Sequence, residues 1–586
     1  MNGPADSFNR KTWGRCAAHI NVFAGSSDVG TKAKVMSLLL VALLLGINGL
    51  NVLNSYVGRD FMTAIANRDQ LGFLRQAVFW LGVFASSTLV AVFARYFEER
   101  LGLLWRNFST RRVLGGYMTN RTYYRLAAAG EIENPDQRIA DDIRTFTTTT
   151  LSYLIMLLNG SITAVAFSGV LWSISPLLLI VAVAYAAAGS FLTVGLGGPL
   201  MRLNFQQLDK EGKFRTNLVH VKENTHLVAI SQREGYLCGR LMGHLSDLTA
   251  NFERIIRVNR NVGFFTTGYN WLIQLIPIVI IAPLYMGGAV EFGVVTQAAA
   301  AFMQLVGAFS LIVTQFQSIS SFAAVVARMD ALVTAIEDGA EDAHPGVATV
   351  EDEHRVAFVN LSLQAPGQNR LLVRDLTFEL GEARRVLVLG SDETAVSALF
   401  RAAAGLWIAG SGTIVRPSFD HIMFLSERPY LPPGPLNDLL LRPRRADCGV
   451  HLDHQPERRR SHQPGGQRFP ETRVKDVLGL PGIGPLLERV SALQIDHEWD
   501  TVLTLGEQQL LVCARLLLAA PHFAFLERPS TTLEGEPLDE VLRTLRSHAI
   551  GYAVFEQEAT NLEPYDTILE LLPGGAWNVR RLDTAA

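Results

Sequence analysis

The sequence predicts an α-helical membrane domain of six transmembrane helices, followed by an α/β domain with a P-loop-like turn. Three observations carry this expectation. About six apolar runs of membrane-spanning length lie in the front half. A strand, a turn and a helix follow one another in the back half with the spacing of a phosphate-binding loop. Hydrophobic residues make up 49% of the 586, with a mean hydropathy of +0.20, and that balance over such a length points to a membrane protein.

Taken in order, residues 1–30 are polar and carry Arg10, Lys11 and Arg15. No short apolar run with a small-residue cleavage site follows them, so a cytosolic N-terminal segment is expected and a cleaved signal peptide is not. Within residues 31–336 the spans read Val35–Tyr56, Ala77–Phe97, Leu151–Trp172, Leu177–Leu196, Val262–Tyr285 and Gly293–Ala324. Each can cross a hydrocarbon core of ~30 Å at about 20 residues per helix. The last exceeds what a bilayer needs and is expected to run on into the cytosol as one helix. Glu98–Thr150 and Arg202–Arg260 are rich in Arg and Lys, whereas Met286–Phe292 has neither. The positive-inside rule then places both long stretches, the N-terminus and the tail in the cytosol, so residues 31–336 are expected to form three helical hairpins with long cytosolic helical extensions. Residues 337–350, opening Glu337-Asp-Gly-Ala-Glu-Asp-Ala-His-Pro345, have the acidic, small and Pro-containing character of a linker, and residues 351–586 form the second domain.

Composition excludes some functions. A net charge of −3 gives nucleic-acid binding no global support. Cys16, Cys238, Cys448 and Cys513 are scattered, without disulfide or metal spacing. Residues 442–473, with an Arg458-Arg-Arg460 run, read as a solvated loop, and Cys448, His451, His454 and His462 within it fit no zinc template. No metal site is expected.

The phosphate-loop pattern starts in the β-rich run Arg384–Gly390, turns through Ser391–Ser397 and enters a helix at Ala398. Against the G-x-x-x-x-G-K-[ST] template the first glycine is Gly390 and the hydroxyl is Ser397. Ala395 stands at the second glycine and Val396 at the lysine. Glycine lets backbone N–H groups close on phosphate oxygens, and lysine offsets their charge, so both changes weaken the loop. Asp392 and Glu393 add negative charge where phosphates would lie.

Further on come Leu503-Thr-Leu-Gly-Glu-Gln-Gln509, the helical Ala514–Leu518, and Phe523-Ala-Phe-Leu-Glu-Arg-Pro-Ser530. In this order and spacing the tail resembles an ABC transporter nucleotide-binding domain, with a signature followed by a Walker B strand. The wording of the signature, and of Phe424-Leu-Ser-Glu-Arg-Pro-Tyr-Leu-Pro432, is similar to the SbmA/BacA-like and peroxisomal-type branch. The resemblance implies that the magnesium-holding aspartate is here Glu527, the carboxylate that orients water is Arg528, the switch histidine is Glu556, the Q-loop glutamine is Glu427 and the D-loop aspartate is Glu534. Gly390, Ser397, Thr504, Gly506, Glu507 and Gln508 remain as nucleotide-binding remnants. An arginine is always protonated and cannot act as a base. The expectation is therefore a transporter with an inactive ATPase-like domain, no catalytic residues and no cofactor. ATP and Mg enter only in the alternative, a heterodimer in which Leu503–Gln509 completes a site on a partner with an intact P-loop.

The resemblance extends through the membrane half. Tyr123-Tyr-Arg-Leu126, Asn134-Pro-Asp-Gln-Arg-Ile-Ala-Asp-Asp142, Arg202-Leu-Asn-Phe-Gln-Gln207, Lys222-Glu-Asn224 and Phe265-Thr-Thr-Gly-Tyr269 match SbmA/BacA-like motifs in register. Membership implies an exporter-type half-transporter in a bacterial inner membrane, acting as a homodimer and importing peptides or other bulky hydrophilic solutes such as cobalamin. Members without a cassette are proton-driven, and the same coupling is expected here. A proton carrier needs a carboxylate whose pKa burial raises towards neutrality, and Glu223, Glu211 and Glu291 are the candidates. Asn48, Asn51 and Asn54 on the first span, with Gln274, Gln297 and Gln304 on later spans, are candidates for lining a cavity or bonding a neighbouring helix. Pro135 and the paired carboxylates at Asp141 and Asp142 read as a helix start, with Asp136, Arg138, Asp141 and Asp142 structural or coupling residues.

Overall fold

A long uncharged run in a membrane can satisfy its backbone only within itself, which is why the apolar runs become helices. The computed structural model describes residues 10–582 apart from 28, 131, 133, 342–345, 366–369, 408, 435, 437–439, 441–476, 478–481, 492–498, 534 and 560. Glu534 and the 442–473 loop, with its Cys448, His451, His454 and His462, lie outside the described residues. The chain folds as two units, one built from the described residues up to Glu341 and one from those after it.

The first unit is helical throughout. Its elements are α1 (Arg10–Gly25), α2 (Gly30–Ala66), α3 (Gln70–Met118), α4 (Thr122–Ala129), α5 (Pro135–Ile174), α6 (Pro176–Glu223), α7 (Thr225–Ser231), α8 (Glu234–Met286), α9 (Phe292–Thr314) and α10 (Phe316–Glu341). Among the described residues, six helices, α2, α3, α5, α6, α8 and α9, are long and apolar enough to cross a membrane. Local chemistry sets their starts. The Asp69 carboxylate accepts the Gly72 N–H at 3.0 Å to cap α3, and Pro135 and Pro176 open α5 and α6 where the missing N–H would have had no partner anyway. Leu38, Leu81, Val92 and Phe191 stay exposed, as lipid-facing side chains do. A Cβ at Gly293 would lie 1.9 Å from the Arg59 carbonyl oxygen, so glycine lets α9 cross α2 backbone to backbone.

Helix α6 runs past Leu196 to Glu223 and, with α7 and α8, makes the polar Arg202–Arg260 stretch helical. One feature differs from the sequence expectation. The last run is two helices rather than one, α9 ending at Thr314 and α10 beginning at Phe316.

The second unit has two sheets. One has the order β1-β5-β2-β3, from β1 (Ala348–Glu351), β2 (Arg355–Gln364), β3 (Leu371–Gly381) and β5 (Gly410–Arg416). The other has the order β10-β9-β4-β8-β7-β6, from β4 (Arg385–Gly390), β6 (Ile422–Leu425), β7 (Phe523–Glu527), β8 (Gly551–Glu556), β9 (Thr567–Leu571) and β10 (Trp577–Arg581), parallel except for the β9–β10 edge. The helices α11 (Glu393–Ala403), α12 (Ile483–Ser491), α13 (Leu505–Ala519) and α14 (Glu536–Ser547) accompany these sheets, and strands buried on both faces read as the near-continuous apolar runs seen in Val386–Leu389 and Phe523–Leu526. This arrangement sets the C-terminal ends of β4, β7 and β8 side by side, where ligands of open α/β sheets bind.

Candidate functional site

At the end of β4 the chain needs glycine: a Cβ at Gly390 would sit 2.9 Å from Val396 Cγ2 and 3.1 Å from Leu571 Cβ. Asp392 then caps α11 by accepting the Thr394 N–H at 3.0 Å. Ala395 and Val396 are buried, and Val396 belongs to the apolar cluster that includes Phe400, Phe525 and Phe555. The side chain at the lysine position therefore serves packing. Ser397, one residue on, is half-buried.

The two loop carboxylates are paired. Asp392 meets the guanidinium of Arg370. Glu393 meets Arg528 at 2.5 Å and accepts a hydrogen bond from Gln557 Nε2 at 3.0 Å. The same Arg528 lies 3.4 Å from Glu427. Asp392 and Glu393 add negative charge where phosphates would lie, but each has a cation beside it. Arg528 is held in a left-handed turn, φ 47° and ψ 51°, with its N–H on the Phe555 carbonyl at 2.9 Å. Next to it, at the end of β8, Glu556 is buried and accepts the Ser530 N–H at 3.0 Å. Burial pushes its carboxyl above the usual carboxylate range, against the pull of the Ser530 hydrogen bonds and the Arg528 charge. Beside the loop a cavity of about 470 Å³ is lined by Arg370, Leu372, Ser391, Asp392, Glu393 and Gly574, among others.

The signature segment is locally complete. Thr504 caps α13 with a full capping box: its own N–H reaches Glu507 Oε2 at 2.9 Å, while its hydroxyl accepts the Glu507 N–H at 3.4 Å. Glu507 also pairs with Arg489 at 2.6 Å. The Thr504 N–H, ahead of the burial that opposes it and with Arg489 adding to it, holds that carboxyl below its ordinary range. Gln508 Nε2 bonds the Leu503 carbonyl at 3.0 Å, and Gln509 Nε2 bonds the Glu427 carbonyl at 2.7 Å, which ties the signature helix to the segment after β6. Helix N-termini of this kind present N–H groups and positive potential to anions. Ser397 and Glu527 supply the hard oxygen donors that magnesium prefers, so the donor chemistry present fits that ion.

In the helical unit, Asn48 is buried between helices. Its Nδ2 donates to Asn159 Oδ1 at 2.8 Å and its Oδ1 accepts from Thr163 at 2.6 Å. Asn54 accepts from Trp80 Nε1 at 2.5 Å, and Asn51 is half-buried. Gln297 is buried, with Nε2 unbonded among the described residues, whereas Gln274 and Gln304 are exposed. Glu211, Glu223 and Glu291 are all exposed, and Glu211 accepts from Gln207 Nε2 at 3.0 Å. Sequence reasoning missed Arg370, the contact of Gln557 with Glu393, and Arg328, which pairs with Asp142. Only Gln557 carried a signal, its place beside the switch position.

Six membrane-length helices joined to an α/β unit with a loop after β4 and a capped signature helix define an ABC-type half-transporter. The family profile described as ABC transporter transmembrane region 2 matches residues 27–286. The chain is 31% identical to ABC transporter D family member 2, chloroplastic, of Arabidopsis thaliana, over 93% of this chain and 84% of the relative. It is 32% identical to a Synechocystis protein named as an ABC transporter ATP-binding protein, over 92% and 80%. The human lysosomal cobalamin transporter ABCD4 is 22% identical over 89% of each chain. The chain belongs to the D-type family of ABC half-transporters.

Two expectations are corrected by these relatives. The resemblance to the SbmA/BacA-like branch gives way to the D-type family, because the short motifs shared by the two do not separate them. The expectation of an inactive, non-enzymatic cassette with no cofactor is overturned, since relatives from Synechocystis and Escherichia coli that match nearly the whole chain are named as ATP-binding ABC transporters.

Proposed function

We propose that this chain is one half of an ATP-driven membrane transporter in a bacterial inner membrane, working as a dimer with its N-terminus and cassette in the cytoplasm. Hydrolysis takes place in a composite site to which this chain gives the signature helix α13 and the partner gives its P-loop and magnesium ligands. The observation that carries this reading is the intact capping box at Thr504–Glu507, which fixes the α13 N-terminus so that the N–H groups of Leu505 and Gly506 can face a phosphate. The solute is bulky and hydrophilic, in the size class of cobalamin, a reading supported by the likeness to a named cobalamin transporter. This reading replaces proton-coupled peptide import. The carboxylates on which that coupling depended, Glu211, Glu223 and Glu291, are exposed.

The test is to capture the assembly from membranes through this chain and follow magnesium-dependent phosphate release with Gly506→Asp. A Cβ at Gly506 comes no closer than 3.5 Å to the Thr532 carbonyl oxygen, so the fold tolerates a side chain there. A carboxylate at the helix N-terminus should repel the phosphate and lower the rate at least about tenfold, in line with losses seen when a preorganised donor is removed. A variant that hydrolyses ATP at the wild-type rate would rule out a catalytic use of this signature.

A further inference from the structure

Helix α5 does not begin as an ordinary α-helix. Asn134 takes a left-handed conformation, φ 48° and ψ 61°, Pro135 opens the helix, and Arg138–Asp142 form a π turn in which the Ile143 N–H reaches back to the Arg138 carbonyl. Single π turns inside helices are registers held by tertiary contacts, and they recur at functional positions.

The contacts that hold this one come from α10. Asp142 is buried, at 5% exposure, and both of its carboxylate oxygens are taken by one guanidinium: Arg328 Nε donates to Oδ2 at 2.8 Å and Arg328 Nη2 donates to Oδ1 at 2.7 Å. In return Arg138 Nη1 donates to the Arg328 backbone carbonyl at 3.1 Å. The π turn thus grips α10 at a side chain and at the backbone of the same residue. Apolar packing continues on both sides, with Ile143 and Phe146 of α5 in one cluster with Val326, Met329 and Leu332 of α10. A two-pronged, charge-assisted pair has a fixed direction as well as strength, so it can pass on a rotation that greasy contacts would let slip. Helix α5 carries a membrane span, and α10 is the last helix before the cassette begins at β1.

We propose that Asp142 and Arg328 are positioning residues that couple nucleotide events in the cassette to movement of the membrane helix α5, with the π turn as the element whose register shifts. This inference rests on the ATP-driven reading above. A static brace would instead lower stability and leave the coupling unchanged.

Hydrogen exchange on the complete assembly, captured with its partner, separates the two. In wild type, magnesium-ATP is expected to change exchange across Ile143–Thr150. In Asp142→Asn, and in Arg328→Lys, which keeps the charge but loses the fork, hydrolysis is expected to stay within about twofold while that response falls about tenfold, as for a lost contact in a contiguous network. A response that persists in both variants, or that falls only in proportion to hydrolysis, overturns the proposal. A wild-type assembly that neither hydrolyses ATP nor responds to it removes the ATP-driven reading instead. The clamp itself is then read without nucleotide: exchange across Arg328–Glu341 should rise about tenfold in Asp142→Asn, and unchanged exchange there overturns the proposal whatever the energy source.

Discussion

Around the loop after β4, the residues that look like losses against a phosphate-loop template have contacts of their own. Val396 fills the apolar layer beneath the loop, Glu393 is shared by Arg528 and Gln557, and Glu556 sits under the Ser530 N–H. Sequence gives the chemistry of each side chain but not its direction, which is why Asp392 and Glu393 read as bare charge when each has an arginine beside it. Glu556 leads to a pH prediction. Its folded pKa is raised above the ordinary carboxylate value, so the folded state holds the proton longer than the unfolded chain does. Its favourable share of stability is complete below the ordinary carboxylate range and is lost as pH rises through the raised folded value. Glu556→Gln keeps an acceptor for Ser530 and removes the titration. Its thermal midpoint should match wild type near pH 4 and exceed it above pH 7, by about 2–4 °C for each kcal/mol in a domain of this size. Parallel pH profiles for the two proteins would refute the assignment.

Between elements, the span lengths were legible because hydropathy over about 20 residues is a local property. That α6 and α8 continue as helices through the polar stretch was expected as well, but the side chains that join them were not. Where they meet, Tyr185 and Tyr269 stack with ring centroids 4.3 Å apart and exchange hydrogen bonds, Tyr185 Oη to the Tyr269 carbonyl at 2.6 Å and Tyr269 Oη to the Tyr185 carbonyl at 3.2 Å. Such a reciprocal pair satisfies two polar tips in an apolar setting. It depends on Gly189, where a Cβ would stand 2.3 Å from the Tyr269 ring. Gly189→Val should displace that ring and cost about 1–3 kcal/mol by overpacking, seen as a lower thermal midpoint in detergent. Gly195→Ala, where a Cβ meets nothing within 4 Å, is the control and should leave the midpoint nearly unchanged. Equal midpoints for the two variants would show that the tyrosine pair does not hold α6 to α8. The Asp142–Arg328 clamp was half legible: the Asn134–Asp142 motif announced a helix start, but its partner lies 186 residues away in sequence and no local pattern points to it.

At the scale of the molecule, six membrane-length runs followed by an α/β unit could be read from hydropathy and motif order, whereas the energy source could not. Short words such as Leu505-Gly-Glu-Gln-Gln509 are shared between branches that differ in what drives them, so they could not choose between a proton gradient and ATP. Likeness over nearly the full chain to proteins named as ATP-binding transporters, together with a signature helix capped at both Thr504 and Glu507, favours ATP. The measurement that bears on this most directly uses sealed vesicles holding the assembly captured through this chain, with radiolabelled cyanocobalamin as the probe. The account predicts movement of the label when magnesium-ATP is supplied to the cassette side without any gradient, and none when a pH gradient is imposed without nucleotide. Movement driven by the gradient alone, and indifferent to ATP, would contradict it.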